Sequence, residues 1–435
     1  MTFFLTTVFM FMVFWRPQEW LFPWLFGLPV LDVVVCLAII TTFMEVEQGK
    51  LRIPKEKPQV YLLVGLWLAT LMSHVANTYF EGVLQTLPVV FKICFFTGLL
   101  FCVLDRPSRL RKVAILFVAV SCIMSVHALM QEHTGRGFAG LAPMYIKSIM
   151  GNPPYTRSFF FGIFGDPNDM AQMLATSIPL AFAIPRRRSC VTRLLCWSAV
   201  ALMYAALLTT HSRGGMLAFI TVMVVMFALA LPVKTLPVTI VMGLIVALAL
   251  CPLGAAFLDE SAHNRIMFWG NANQIFKENP VFGIGYGMFW MVGTKSAAHN
   301  AFVSCYTTIG LFGYWFWFLL IYLGVVGTWR SRVALMRPMT DEEAWLKRFA
   351  GLLIAAMAGF CSSSYFLSRT FLYPFFFLFA IMGALPVVVE KILPANHPPL
   401  LKPRMDVFVV GSAAVLASIA YIYFSIILLN KAVYG

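Results

Sequence analysis

In an otherwise apolar chain, the residues best suited to chemistry are two arginines, Arg213 and Arg265, and one histidine, His299. Arg265 and His299 belong to the stretch 259–300. It gathers His263-Asn264-Arg265 and Glu278-Asn279-Pro280-Val281-Phe282-Gly283-Ile284-Gly285-Tyr286-Gly287, and it closes on Ala298-His299-Asn300. Polar groups are costly at membrane depth, so where they concentrate they usually function. A guanidinium is a planar fork that matches phosphate oxygens bidentately and stays charged at any relevant pH. Two of them can hold a pyrophosphate and stabilise the charge it gains as it leaves. An imidazole at the end of the stretch can take the proton of an attacking hydroxyl. Together these residues read as a site for a lipid-linked pyrophosphate.

Each has a structural alternative. Arg213 lies in Thr209-Thr210-His211-Ser212-Arg213-Gly214-Gly215, a break between two apolar runs whose glycines let another group approach the backbone closely. Either arginine can instead pair with Asp166, Asp169, Asp259 or Glu260, or snorkel to the interface. His299 can be a hydrogen-bonded residue at a helix start, with Asn300 as the cap, and His263 and His211 compete with it as bases. The glycines Gly283, Gly285 and Gly287 either present N–H groups to an anion or mark a tight turn. They lack the strand and helix context of a dinucleotide fingerprint. Asp166-Pro167-Asn168-Asp169 opens an apolar run and reads as a helix cap. Lys92 and Asp32 are charges inside predicted spans; they pair with each other, or Lys92 points into a cavity toward a phosphate.

What must position these residues is a membrane domain. The chain is 60% hydrophobic and 11% charged over 435 residues, with a mean hydropathy of +0.84. Those values belong to an all-α polytopic membrane protein; the short alternating segments of a β-barrel are absent. Apolar segments fall at about 2–15, 21–43, 59–77, 82–104, 113–131, 168–185, 194–210, 215–232, 236–257, 301–327, 349–367, 370–390 and 407–429. They predict twelve or thirteen spans, the first being short. The organisation expected is a single membrane domain, 1–435, with a first outer loop at 132–166 and a large one at 259–300.

A net charge of +14 raises nucleic acid as a partner, but the basic residues fall in short loops between spans. Twenty-one lie in one alternating set of loops, such as Arg106, Arg109, Arg111 and Lys112; nine, including Arg16, Arg157, Arg213 and Arg265, lie in the other. The positive-inside rule makes the richer set cytoplasmic, so the two elaborated loops face outward. Nucleic acid is excluded and membrane lipids are expected neighbours. Nine cysteines scattered singly predict neither a disulfide framework nor a metal site. No cleavable signal peptide is expected, because the first apolar run leads into Arg16-Pro17-Gln18-Glu19-Trp20 rather than a small-residue cleavage site.

The pattern as a whole resembles a known superfamily. Ser212-Arg213-Gly214-Gly215 stands on the outer side, and Arg265-x-x-x-Trp269 leads into a large loop. Asn279-Pro280-Val281-Phe282-Gly283-Ile284-Gly285 lies within that loop, and Ala298-His299-Asn300-Ala301-Phe302 ends it. This arrangement, over about residues 157–320, resembles the O-antigen ligase and O-antigen polymerase superfamily. Arg16-Pro17-Gln18-Glu19-Trp20 and Phe164-Gly165-Asp166-Pro167-Asn168-Asp169 further resemble a subgroup predicted to be O-glycosylation ligases. The resemblance implies a metal-independent, inverting glycosyltransferase without a cofactor. It would sit in the bacterial inner membrane with its site facing the periplasm, and serve lipopolysaccharide biosynthesis. The implied donor is a glycan on undecaprenyl pyrophosphate and the implied acceptor a sugar of lipid A-core. By the same resemblance Arg213 and Arg265 grip the pyrophosphate, His299 activates the acceptor hydroxyl, and Arg157 joins the arginines. Lys92, His263, Asn300 and Gly285 are secondary candidates.

Polymerases and protein O-glycosylation ligases of the superfamily share this chemistry and differ chiefly in acceptor. Lipid A-core ranks first because the chain adds no soluble domain to recruit a protein. A flippase or transporter for a lipid-linked glycan is the reading from another class. Transporters tend to carry internal repeats and helices broken near the midplane, whereas the polar residues here gather in loops on one side.

Overall fold

The computed structural model describes residues 1–435 except 26, 55–56, 148–152, 185–188, 232–259, 292–297, 368 and 435; the side chains of 23, 260–263, 291 and 432–434 also lie outside the description. The predicted span 236–257, Asp259 and the side chains of Glu260 and His263 therefore lie outside the described residues.

The other twelve predicted apolar segments all fall on helices. They are α1 Thr2–Trp15, α3 Val30–Glu47, α4 Pro58–Val75, α5 Phe80–Val103, α6 Pro107–Thr134, α7 Pro167–Ala181, α8 Cys190–Thr209, α9 Arg213–Ala230, α11 Ala301–Ala334, α12 Asp341–Ser364, α13 Tyr373–Glu390 and α14 Val410–Tyr434, the last preceded by a π-turn at Arg404–Val409. Two more helices, α2 Pro17–Trp20 and α10 Glu260–Glu278, complete the order. Among the described residues nine helices are long and apolar enough to cross a membrane. The protein is a multi-pass, all-α membrane protein.

Proline starts many of these elements, at the first or second position of α2, α4, α6, α7 and α13. Its fixed φ suits the first turn, and its missing N–H is one the helix would leave unpaired anyway. The apolar run at 21–43 is helical only from Val30. Pro23, Pro29 and Gly27, at φ 84°, break its first part, which holds a single 3-10 turn at Pro23–Leu25.

Two compact units divide the chain, each discontinuous in sequence. The first comprises Met1–Arg52, Val103–Cys251 and Ser331–Ser363. Its centre is α7, buried along nearly its whole length and packed by α6, α8 and α9. Small residues make that possible: Gly215 of α9 lies against Ala171, so closely that a side chain on the glycine would collide with it. Polar contacts replace water inside, with Ser121 donating to Ser177 at 2.8 Å and Gln172 donating to Ser363 at 2.8 Å. A helix buried on every side has no face to offer solvent, so polar side chains of α7 such as Gln172 and Ser177 find their partners inside the protein.

The second unit comprises Ile53–Cys102, Pro252–Arg330 and Ser364–Gly435. Its buried centre is α13, and Trp317 of α11 donates to Thr370 O just before it. Among the described residues the only strands are β1 Met144–Ile146 and β2 Tyr155–Arg157, an antiparallel pair in the first unit with Met144 opposite Arg157 and Ile146 opposite Tyr155. The eight described cysteines are free.

Candidate functional site

In the first unit a hydrogen-bond network forms where α7 and α9 begin. Asp166 caps α7, its Oδ1 accepting from Asn168 N at 2.7 Å and from Asn168 Nδ2 at 2.9 Å. Ser212 caps α9, its Oγ accepting from Gly215 N at 3.1 Å while donating to Asn168 Oδ1 at 2.7 Å. Arg157 closes the circuit by donating Nη2 to the same Asn168 Oδ1 at 2.9 Å and Nε to Thr210 O at 2.8 Å. Burial lowers the Arg157 pKa from its ordinary value, the nearby Asp166 opposes that, and the guanidinium remains a cation. Arg213, the first residue of α9, is exposed beside this network. Asp166 is thus the cap its sequence context predicts. Asn168 also joins Arg157 to the Ser212 cap, a role local pattern does not reveal.

The hairpin carrying Arg157 is pinned from two further directions. Ser158 N donates to Thr209 O at 3.0 Å, and Phe159 N donates to Gln131 Oε1 at 3.0 Å. Ahead of it, the Arg16–Trp20 segment docks on the same loop. Arg16, left-handed at φ 55°, lies against Gly162, where a side chain would collide with its guanidinium, and pairs with Glu19 at 3.2 Å. Trp20 stacks on Phe138 at 5.0 Å and on Phe161 at 5.6 Å, and donates its indole N–H to Trp15 O. Hence the two motifs at 16–20 and 164–169 form one structure: the first holds the loop that ends in the Asp166 cap.

In the second unit, α10 presents Arg265 and Trp269 one turn apart on a single face. Trp269 donates its indole N–H to Ala298 O at 2.6 Å, which fixes the backbone next to His299. Asn273 of α10 accepts from Tyr306 OH at 2.7 Å and donates to Tyr423 O at 3.0 Å, tying α10 to α11 and α14. Arg265 and His299 are both half-buried. His299 is left-handed at φ 49°, a region few non-glycine residues occupy and one recurrent at functional positions. Asn300 caps α11, its Oδ1 accepting from Phe302 N at 3.0 Å and Val303 N at 3.2 Å, as its sequence position predicts.

The glycine-rich segment repairs a broken helix. Inside α11, Gly310 has φ 64° and ψ −172°, which interrupts the helical ladder. The segment 280–285 takes up the freed groups: Ile284 N donates to Thr307 O at 3.1 Å and Gly285 N to Thr308 O at 3.0 Å, while Leu311 N donates to Pro280 O at 2.8 Å and Phe312 N to Val281 O at 3.0 Å. Non-helical backbone at membrane depth survives only where protein or water satisfies it. From α4 and its end, Asn77 donates to Gly283 O at 2.8 Å and Ser73 Oγ accepts from Tyr286 N at 3.0 Å. The N–H of Gly285 is therefore engaged by Thr308 O, and Gly283 lies directly against the backbone of Thr308 and Gly310, where a side chain would collide. A broken helix also occurs in transporters, but the groups freed by this one are taken up by the loop.

A methyl group at Gly310 would come closer than 3.0 Å to Val281 O and meet a backbone conformation essentially reserved for glycine. Gly310→Ala is expected to lower the unfolding temperature sharply or prevent recovery of folded protein. Gly98→Ala, where the added methyl meets only Leu63 Cδ1 at 3.6 Å, is the neutral control in the same thermal-unfolding measurement.

The sequence-predicted residues thus fall into two described groups: Arg157 and Arg213 with Asn168 and Ser212, and Arg265 with Trp269, His299 and Asn300. Lys92 is a half-buried residue of α5 in the second unit, and Asp32 an exposed one of α3 in the first. Residues 198–318 match the family model for O-antigen ligase. The match supports placing the chain in the O-antigen ligase-like superfamily, whose members are glycosyltransferase-like ligases and polymerases. It spans Arg213, Arg265, His299 and the segment that mends α11. No curated protein matches the chain.

Proposed function

We propose that this O-antigen ligase-like protein is a ligase in the strict sense. It would move a glycan from undecaprenyl pyrophosphate to a sugar hydroxyl of lipid A-core, at the periplasmic face of the bacterial inner membrane. The observation that carries the reading is that the family match spans Arg213, Arg265 and His299 together. In this reading His299 takes the proton of the acceptor hydroxyl as its oxygen attacks the anomeric carbon. The bond from that carbon to the pyrophosphate breaks, the electron pair departs with the pyrophosphate, and a single displacement inverts the centre. Arg213 and Arg265 stabilise the departing charge, with Arg157 as a third guanidinium. Such fixed cations can do this without a metal ion.

The test is transfer from undecaprenyl-pyrophosphate-linked glycan to lipid A-core by purified protein in the presence of EDTA. Transfer that withstands EDTA supports the reading. Elongation of the lipid-linked glycan with no transfer to lipid A-core would make the protein a polymerase, and movement of donor across vesicles without any transfer would make it a transporter.

A further inference from the structure

Two aromatic rings stand beside the arginines of the first unit, and the mechanism proposed above assigns neither of them a role. Tyr155 is two residues before Arg157 on β2, so both project from one face of the strand, about 6.6 Å apart along the chain. His211 is two residues before Arg213, and its ring meets that of Tyr155 at 5.3 Å in an edge-on arrangement. The bond from Arg157 Nε to Thr210 O at 2.8 Å locks the strand to the turn that carries His211. Both rings stay accessible: Tyr155 is 43% exposed and His211 is exposed. His211 holds φ at 47°, a backbone state that an ordinary surface turn would more readily fill with glycine or asparagine.

Each arginine is therefore paired with a ring at the same sequence offset, and the two rings touch. A glycosyl pyrophosphate has matching chemistry: an anion that suits guanidinium groups, bonded directly to a pyranose ring whose C–H face suits an aromatic surface. We propose that Tyr155 and His211 form a binding subsite for the sugar attached to the pyrophosphate. This rests on the pyrophosphate role assigned to Arg157 and Arg213, and it gives the site a means to favour glycosylated carrier over carrier that has already been discharged.

The experiment compares binding of two probes to the full-length protein in lipid nanodiscs: undecaprenyl pyrophosphate bearing one N-acetylglucosamine, and undecaprenyl pyrophosphate without sugar. Tyr155→Ala is expected to weaken the glycosylated probe about tenfold, the scale of one well-packed aromatic contact, and to leave the bare carrier within about twofold. Tyr155→Phe, which keeps the ring, should bind both like the wild type, and His211→Asn, which tolerates the left-handed backbone, should repeat the selective loss. Equal weakening of both probes by Tyr155→Ala would overturn the subsite, because the tyrosine would then serve only to place Arg157. Unchanged binding of both would overturn it as well. Arg157→Ala and Arg213→Ala should weaken both probes; if they weaken neither while Tyr155→Ala still discriminates, the subsite stands and the pyrophosphate role falls.

Discussion

Replacing His299 by alanine is expected to cut glycan transfer by about 10²–10⁴, the range typical of a lost general base, with donor binding nearly unchanged. The reasoning is geometric. The backbone on either side of His299 is fixed: Trp269 holds Ala298 O at 2.6 Å, Asn300 caps α11, and Thr370 Oγ donates to Ala301 O at 3.0 Å. A ring carried on such a frame loses little freedom when it meets a substrate, so its removal should appear in the rate rather than in binding. Alanine enters the left-handed region at φ 49° less readily than histidine or asparagine, so the alanine variant also carries a backbone effect. His299→Asn separates the two effects. Asparagine tolerates this conformation but offers no basic nitrogen, and it should fold like the wild type and transfer as poorly as alanine. Full transfer by either variant would move the base to another residue, with His211 and His263 the first to test.

The second large effect is expected at Arg213. Arg213→Ala should reduce transfer by about 10²–10³, the usual consequence of removing one donor that stabilises charge in the transition state. Arg213→Lys should recover only part of it, because an ammonium does not reproduce the planar fork. Position supports a functional rather than structural loss. Arg213 is exposed at the start of α9, and the cap there belongs to Ser212, which keeps its bonds to Gly215 N and Asn168 Oδ1 whatever follows it. The start of a helix also carries partial positive charge, which adds to the attraction for an anion. Thermal unfolding of the variant should therefore track the wild type. A variant that transfers normally, or that loses activity in proportion to lost folded protein, would remove Arg213 from the pyrophosphate role.

Much of this protein is legible without coordinates, for definite reasons. A membrane span must be a helix of enough apolar residues to cross the hydrocarbon core, so composition alone marks twelve of the thirteen segments now seen as helices, the remaining one lying outside the described residues. Caps are local as well. Asp166 and Asn300 each accept from an amide two residues ahead, and the reading of both as caps follows directly from their place at the start of an apolar run. The clustering of Arg265, His299 and the glycines in one stretch is likewise visible, because the rest of the chain spends so few polar residues.

Tertiary structure alone decided what those residues are attached to. Asn168 links Arg157 to Ser212, Trp20 stacks on Phe138 and Phe161, and Asn77 reaches Gly283. These partners lie 11, 44, more than 100 and 206 residues apart, and contacts between distant side chains leave no periodic trace in sequence. The role of the glycine-rich segment was hidden for the same reason. Its amides look open to an anion when read locally, and only the break at Gly310, which frees carbonyls of α11, shows where they bond. The sequence by itself determined the membrane helices, the caps and the residues with chemical potential. Folding decided which of their hydrogen-bonding groups are already engaged, because inside a membrane every exposed backbone group must find a partner somewhere along the chain.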